Sequence, residues 1–205
     1  MNSPRFIVLE GIDGSGTTTQ VSQLAENLRL RGHRVRTTFE PSPGRIGRQI
    51  RQLLAVRADP VDPGALALLF AADRLDHNHT VVLPALRAGE VVISDRYLMS
   101  SLAYQGLTHS VEWLQAINAR ATTPDLTILL EIPPLLGLRR VAQRRAGNGG
   151  SEEIFDVPET QRRLASAYQG LATRQDLGPI QVIDGAEKIS AVSAAVLRAC
   201  VERGL

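Results

Sequence analysis

Short apolar runs rich in β-branched residues alternate along this chain with longer stretches of helical spacing. The strand-like runs are Phe6–Glu10, Val35–Phe39, Val91–Ser94, Leu126–Glu131 and Ile180–Ile183. Helical spacing falls near Thr18–Arg31, Gly47–Val56, Gly64–Leu86, Val111–Arg120, Leu135–Arg145, Pro158–Asp176 and Ile189–Glu202. The strands are continuously apolar rather than alternating, which is the pattern of a sheet buried on both faces. Strands separated by helices imply right-handed crossovers and parallel pairing. The chain is therefore expected to form one α/β domain of three layers around a five-stranded parallel sheet. No internal repeat or linker divides it.

Composition narrows the class. A chain of 205 residues is long enough to bury roughly 70% of its unfolded surface. Apolar residues at 43% and charged residues at 21% are globular values, which excludes collagen and extended disorder. No apolar run approaches the ~20 residues of a membrane helix, so no membrane partner is expected. Met1–Phe6 carries no apolar signal-peptide core. Cys200 is the single cysteine and cannot form an internal disulfide, so a reducing cytoplasm is the expected compartment. The 23 basic and 21 acidic residues leave a net charge of +2. A pI of 9.1 then reflects how few groups titrate between neutrality and pH 9, and no nucleic-acid partner follows from it. Lys188 is the only lysine.

The chemistry starts after the first strand. Gly11-Ile-Asp-Gly-Ser-Gly-Thr-Thr-Thr19 follows Phe6–Glu10 and precedes a helix. Against the phosphate-loop pattern G-x-x-x-x-G-K-[ST], Gly11, Gly16 and Thr18 fit, but the lysine position holds Thr17. Such glycines let successive N–H groups face one anion, helped by the partial charge of the helix N-terminus. Gly11, Ile12, Asp13, Gly14, Ser15, Gly16, Thr17, Thr18 and Thr19 are thus the candidate ATP-phosphate cradle, with the Thr18 hydroxyl offered to Mg²⁺. A simple strand-to-helix turn is the plain alternative. Thr17 cannot place a cation between the β- and γ-phosphates, and an uncompensated loss of that kind costs on the order of 10²–10³ in rate.

The remaining motifs, read together with this loop, resemble thymidylate kinases. They are Glu40-Pro41, Leu69-Phe-Ala-Ala-Asp-Arg74, Asp95-Arg-Tyr-Leu-Met-Ser-Ser-Leu-Ala-Tyr-Gln-Gly106, Pro124–Pro134 and Ile183-Asp-Gly185, in that order. The resemblance runs from Phe6 to about Val196, and the 95–106 segment is its most specific part. It implies a P-loop kinase fold, ATP and dTMP as substrates, Mg²⁺ as cofactor and a homodimer. By the same resemblance Phe70 stacks on thymine, and Arg74, four residues on, clamps the dTMP phosphate or thymine edge. Core packing with Leu66, Leu68 and Leu69, and an ion pair with Asp73 or Asp76, are the bland readings of these two. Asp95 would help hold Mg²⁺, and Arg96 would hold the acceptor phosphate. Ser100, Ser101 and Gln105 would line the thymine and its sugar, with Tyr104 beside the deoxyribose. Asp13 would lie near the transferred phosphoryl or the sugar hydroxyl, which requires a cation or clamp arginine close to it. Glu40 and Arg51 would frame the acceptor phosphate, although Glu40-Pro-Ser-Pro-Gly44 departs from the family's glycine-rich stretch.

Arg139, Arg140, Arg144 and Arg145 precede the glycine-rich Ala146–Ser151, and residues 139–157 are the expected lid. As a group these arginines are candidates for ATP contacts and for replacing the missing lysine, Arg144 and Arg145 above all. A solvated arginine face is the alternative. His77 and His79 lie about 200° apart on a helix, which does not suit one metal. Trp113 reads as core or dimer packing. Two competing functions stay open: a nucleotide-binding homologue of weakened activity, favoured by Thr17, and a nucleoside monophosphate kinase of different base preference.

Overall fold

The structure, a computed structural model, describes residues 5–55, 61–148 and 157–204. Five parallel strands carry it: β1 (Phe6–Glu10), β2 (Val35–Phe39), β3 (Val91–Asp95), β4 (Leu126–Glu131) and β5 (Ile180–Asp184). Their order is β2-β3-β1-β4-β5, so the glycine loop leaves the central strand. The chain runs to one side of β1 for β2 and β3, then to the other for β4 and β5. That reversal opens a crevice beyond the carboxyl ends of β1 and β3, where ligands of such sheets bind.

The helices are α1 (Thr17–Leu30), α2 (Arg45–Ala55), α3 (Pro63–His77), α4 (Leu83–Arg87), α5 (Leu98–Tyr104), α6 (Val111–Ile117), α7 (Pro134–Asn148), α8 (Pro158–Ala172) and α9 (Ile189–Val201). All five residues of β1 are buried, since both faces are covered. Ile7 and Leu9 pack with Leu24 and Leu28 of α1 and Val196 of α9. Phe6 and Val8 face the opposite layer, with Val82, Val92 and Tyr97. On that same side Leu102, Leu114 and Leu164 close the core under α5, α6 and α8. The two sets alternate because successive strand side chains point to opposite faces.

The strands and most helices fall where the periodicity predicts them, and the departures have local causes. The expected helix Gly64–Leu86 divides: α3 ends at His77, a wide π turn spans Asn78–Val82, and α4 follows. Pro84 supplies no N–H to the turn below it and its ring crowds that turn, which widens the ladder. The short helix α5 has no periodic signal of its own, being seven residues anchored from below by a strand carboxylate. The glycine-rich stretch also differs from its expected form, because Ala146–Asn148 continue α7. The rest of the expected lid, residues 149–156, lies outside the described residues.

Candidate active site

The site is built from the loops that follow β1, β2 and β3 and from side chains of α3, α5 and α7. Gly14 and Gly16 take φ values of 80° and 96°, which fold the loop after β1 back toward the N-terminus of α1. The loop also lies hard against α7. A Cβ on Gly14 would come within 2.3 Å of the Gly137 carbonyl oxygen, and one on Gly137 within 2.5 Å of the Asp13 carbonyl oxygen. Two glycines on separate elements therefore let the two backbones touch. Arg140, one turn beyond Gly137, donates to the carbonyls of Gly14 (3.3 Å) and Gly185 (3.0 Å), tying the loop to the end of β5.

Above this loop lies an open cleft lined by residues 12–19, Asp95, Arg96, Arg140 and Arg144. Thr17, at 7% exposure, begins α1 and lines the cleft. Thr18 Oγ1 donates to Asp95 Oδ2 at 2.5 Å, while Asp95 Oδ1 is buried with no hydrogen-bond partner. Arg140 and Arg144 occupy one face of α7. Arg139 is exposed and Arg145 half-buried, and neither lines the cleft.

A second, more apolar cavity adjoins it, lined by Phe70, Arg74, Tyr97, Ser101, Tyr104 and Gln105. Asp13, Glu40, Pro41 and Arg96 line both cavities, so the ion pair Asp13–Arg96, 2.6 Å apart, stands at their junction. Arg96 follows β3 with φ 69°, an unusual backbone state for a residue with a Cβ. Its guanidinium donates to the Gly11 carbonyl (3.0 Å), Ser100 Oγ (3.1 Å) and Tyr168 OH (3.3 Å), and lies 5.3 Å from the Tyr104 ring centre. Burial works against its charge, but the acidic groups around it, Asp13 and Glu10 among them, outweigh that and raise its pKa above the arginine range. Tyr104 OH donates to Asp13 Oδ2 at 3.1 Å, and burial raises the Tyr104 pKa so far that the phenol keeps its proton.

Arg74 is 1% exposed and donates to four acceptors. It donates to Asn118 Oδ1 (2.5 Å), Glu40 Oε2 (2.7 Å), Ser101 Oγ (3.0 Å) and the Tyr97 carbonyl (3.1 Å), leaving Nε buried without an acceptor. The simple pairing with Asp73 or Asp76 does not occur. Asp73 instead accepts from Ser42 N and Ser42 Oγ, both at 2.6 Å, fixing the turn after β2. Arg51 braces the same turn, donating to the carbonyls of Pro41 (2.5 Å) and Ser42 (2.8 Å), and it lines neither cavity.

Residues 9–196 match the family model for thymidylate kinase. The chain belongs to the thymidylate kinase family. It is 47% identical over 174 residues to a probable thymidylate kinase of Pyrococcus abyssi, covering 82% of both chains. It is 38% identical over 197 residues to one of Pyrobaculum aerophilum, covering 96% of this chain and 97% of that relative. No helix among the described residues is long and apolar enough to cross a membrane.

With the family in hand, the residues that the sequence does not single out stand apart. Glu10, 0% exposed, accepts four hydrogen bonds under the site. Tyr168 and Gln161 reach in from α8, Gln161 Nε2 lying 3.4 Å from Asp13 Oδ2. His77 bridges Glu40 Oε1 (3.1 Å) and Thr38 Oγ1 (2.6 Å), a structural use of a histidine considered above only for metal. The signal for Glu10 was present, as a carboxylate ending a wholly apolar strand. Gln161 and Tyr168, seven apart on the buried face of α8, carry no local signal of such a role.

Proposed function

We propose that the cleft and the cavity beside it perform the family's reaction, ATP-dependent phosphorylation of dTMP to give dTDP and ADP. The observation that carries this reading is the Asp13–Arg96 pair at the meeting point of the two cavities. Phosphoryl transfer needs donor and acceptor aligned across such a junction, with cations against the charge on the equatorial oxygens. In this reading residues 11–19 cradle the ATP phosphates. Phe70, Ser101 and Gln105 meet the thymine, Arg74 its edge, and Arg96 the acceptor phosphate. Tyr104 and Asp13 meet the sugar, with the Asp13 carboxylate held off the phosphates by its pairing with Arg96. Glu40 acts through Arg74 rather than on the phosphate, and Arg51 acts through the turn it braces. Ser100 acts on Arg96.

Mg²⁺ fits the residues present. Asp95 Oδ1 is a buried acceptor without a partner, and the Thr18 hydroxyl lies beside the same carboxylate. Thr18 and Asp95 would hold the ion, two oxygen donors of the kind that suit it. There it would supply positive charge against the phosphates during transfer.

For the cation that Thr17 lacks, the reading selects Arg144. Arg140 already binds two carbonyls, and Arg145 does not line the cleft. We also place the protein in the cytoplasm as a homodimer. Exposed Leu68 and Leu75, two turns apart on α3, are the apolar face that a second copy would cover; sedimentation of Leu68→Glu beside the unaltered chain tests that pairing.

The test of function is ADP formation from Mg·ATP with and without dTMP, in the unaltered chain and in Thr17→Lys, Arg144→Ala and Arg145→Ala. Turnover that requires dTMP and falls by about 10²-fold or more in Arg144→Ala, but not in Arg145→Ala, supports the reading. Equal turnover in both arginine variants would remove Arg144 from its role. Tight dTMP binding without turnover, restored by Thr17→Lys, would mean a disarmed homologue. No response to dTMP in any form would overturn the reaction itself.

A further inference from the structure

Glu10 ends the central strand with a carboxylate that has no access to solvent, at 0% exposure. Its two oxygens accept four hydrogen bonds. Oε1 takes the backbone N–H of Tyr97 (2.9 Å) and of Ser100 (3.1 Å). Oε2 takes Ser100 Oγ (2.5 Å) and Tyr168 OH (3.2 Å). A carboxylate offers about four lone-pair sites, so this one is saturated when ionised. Burial raises its pKa, while the Ser100 hydrogen bond and the Arg96 charge pull it back.

The two hydroxyls on Oε2 also touch each other, at 2.9 Å, and both accept from the same nitrogen, Arg96 Nη1, at 3.1 and 3.3 Å. Because each hydroxyl proton points at Glu10 or at the other hydroxyl, the oxygen lone pairs are left facing Arg96. The opposite nitrogen, Nη2, is the one that meets Asp13. Glu10 does not line either cavity and does not touch Arg96 through a hydrogen bond. Arg96 needs such support, because its backbone sits at φ 69° and nothing in a strained turn fixes a long side chain by itself.

We propose that Glu10 is a positioning residue for phosphoryl transfer: through Ser100 and Tyr168 it orients the guanidinium of Arg96 at the junction of the two cavities. The proposal rests on the role given above to Arg96. An amide at position 10 keeps the shape but turns a donor toward hydroxyls and N–H groups that are already donors. The hydroxyl orientation is then lost, and Arg96 keeps only the Gly11 carbonyl and Asp13 as acceptors, which do not fix Nη1 against Ser100 and Tyr168. Glu10→Gln is expected to lower kcat by about 10–100-fold, the range seen when a partner that orients a functional group is removed. The KM for ATP stays within about 2-fold, since the phosphate loop is untouched.

The deciding experiment is a double-mutant cycle on kcat, read with radiolabelled ATP so that slow variants remain measurable. Glu10→Gln and Tyr168→Phe are each made alone and on Arg96→Ala, with melting temperature recorded for all. Tyr168→Phe removes one hydroxyl and keeps the ring, so it tests the same network should Glu10→Gln fail to fold. If Glu10 acts through Arg96, neither change lowers kcat further once Arg96 is gone. If either change costs the same factor on Arg96→Ala as alone, the effect is structural and the proposal falls. If Arg96→Ala by itself leaves kcat intact, the role of Arg96 is wrong and the proposal falls with it, a result distinct from the preceding one.

Discussion

Gly137 should be intolerant of even one methyl group, and the structure fixes both the sign and the size of the effect. It is the fourth residue of α7, where alanine ordinarily stabilises a helix by roughly 0.5–1 kcal/mol over glycine. Here the added Cβ would lie 2.5 Å from the Asp13 carbonyl oxygen, against an ordinary contact of at least 3.4 Å. The neighbour is backbone and cannot swing aside, so the phosphate loop and α7 must part by about 1 Å, a displacement that costs on the order of 10²-fold when it falls on catalytic groups. Overpacking of this kind costs about 1–3 kcal/mol. Net of the helix gain, Gly137→Ala should lose roughly 1–2 kcal/mol, or about 2–8 °C in melting temperature for a chain this size. Gly170→Ala in α8 is the control, since a Cβ there meets nothing within 4 Å and helix propensity alone should raise stability. Thermal melts and initial rates with saturating ATP read both changes. If Gly137→Ala melted higher than the unaltered chain with its turnover intact, the close approach of loop and helix would be refuted.

Further outcomes follow from the buried groups. Arg74→Leu should cost about 3–5 kcal/mol, because it strands the Glu40 carboxylate at 4% side-chain exposure; a denaturant midpoint within error of the unaltered chain would contradict the pairing. Burial pushes the Cys200 thiol from 9.0 up to about 12, so the folded state holds its proton where the unfolded chain has lost it. Its contribution to stability is therefore complete below pH 9 and declines as pH rises from 9 toward 12, and Cys200→Ala should flatten that limb of a pH-melting series. Native protein should also resist alkylation at pH 8, reacting only as fast as it unfolds.

Much of this was readable in the chain because both the fold and the site depend on local signals. The strands were legible since a sheet buried on both faces needs mainly apolar runs, and β1, β3 and β4 are such runs with polar residues chiefly at their carboxyl ends. Many of the residues lining the cleft and cavity were legible because they cluster in short segments after strands, within Ile12–Thr19 and Asp95–Gln105. What could not be read was the partnering between segments. Arg74 needs Asn118 and Glu40, respectively 44 and 34 positions away, and nothing near Arg74 announces either. Arg51 has the right charge for an anion, yet it is satisfied by two carbonyls of a turn whose shape only the fold determines. Likewise the break after His77 depends on one proline seven residues on, within a segment whose apolar spacing continues unbroken.

The threonine at position 17 follows the same logic. The proposed phosphate cradle is shaped by backbone: glycines at left-handed angles, the start of α1, and the contact of Gly14 with Gly137. None of these needs a lysine side chain, so the substitution removes one charge and leaves the shape. The deficit can be met by any cation that reaches the same space from another element. Arg96 is occupied by Asp13, and Arg140 is occupied by the carbonyls of Gly14 and Gly185. Arg144 lines the cleft from the turn after Arg140, on the stem that leads into residues 149–156. In the proposed reading a cation carried there arrives with the helix rather than with the loop, so the alignment of α7 against the loop, and hence Gly137, would bear on turnover as well as on stability.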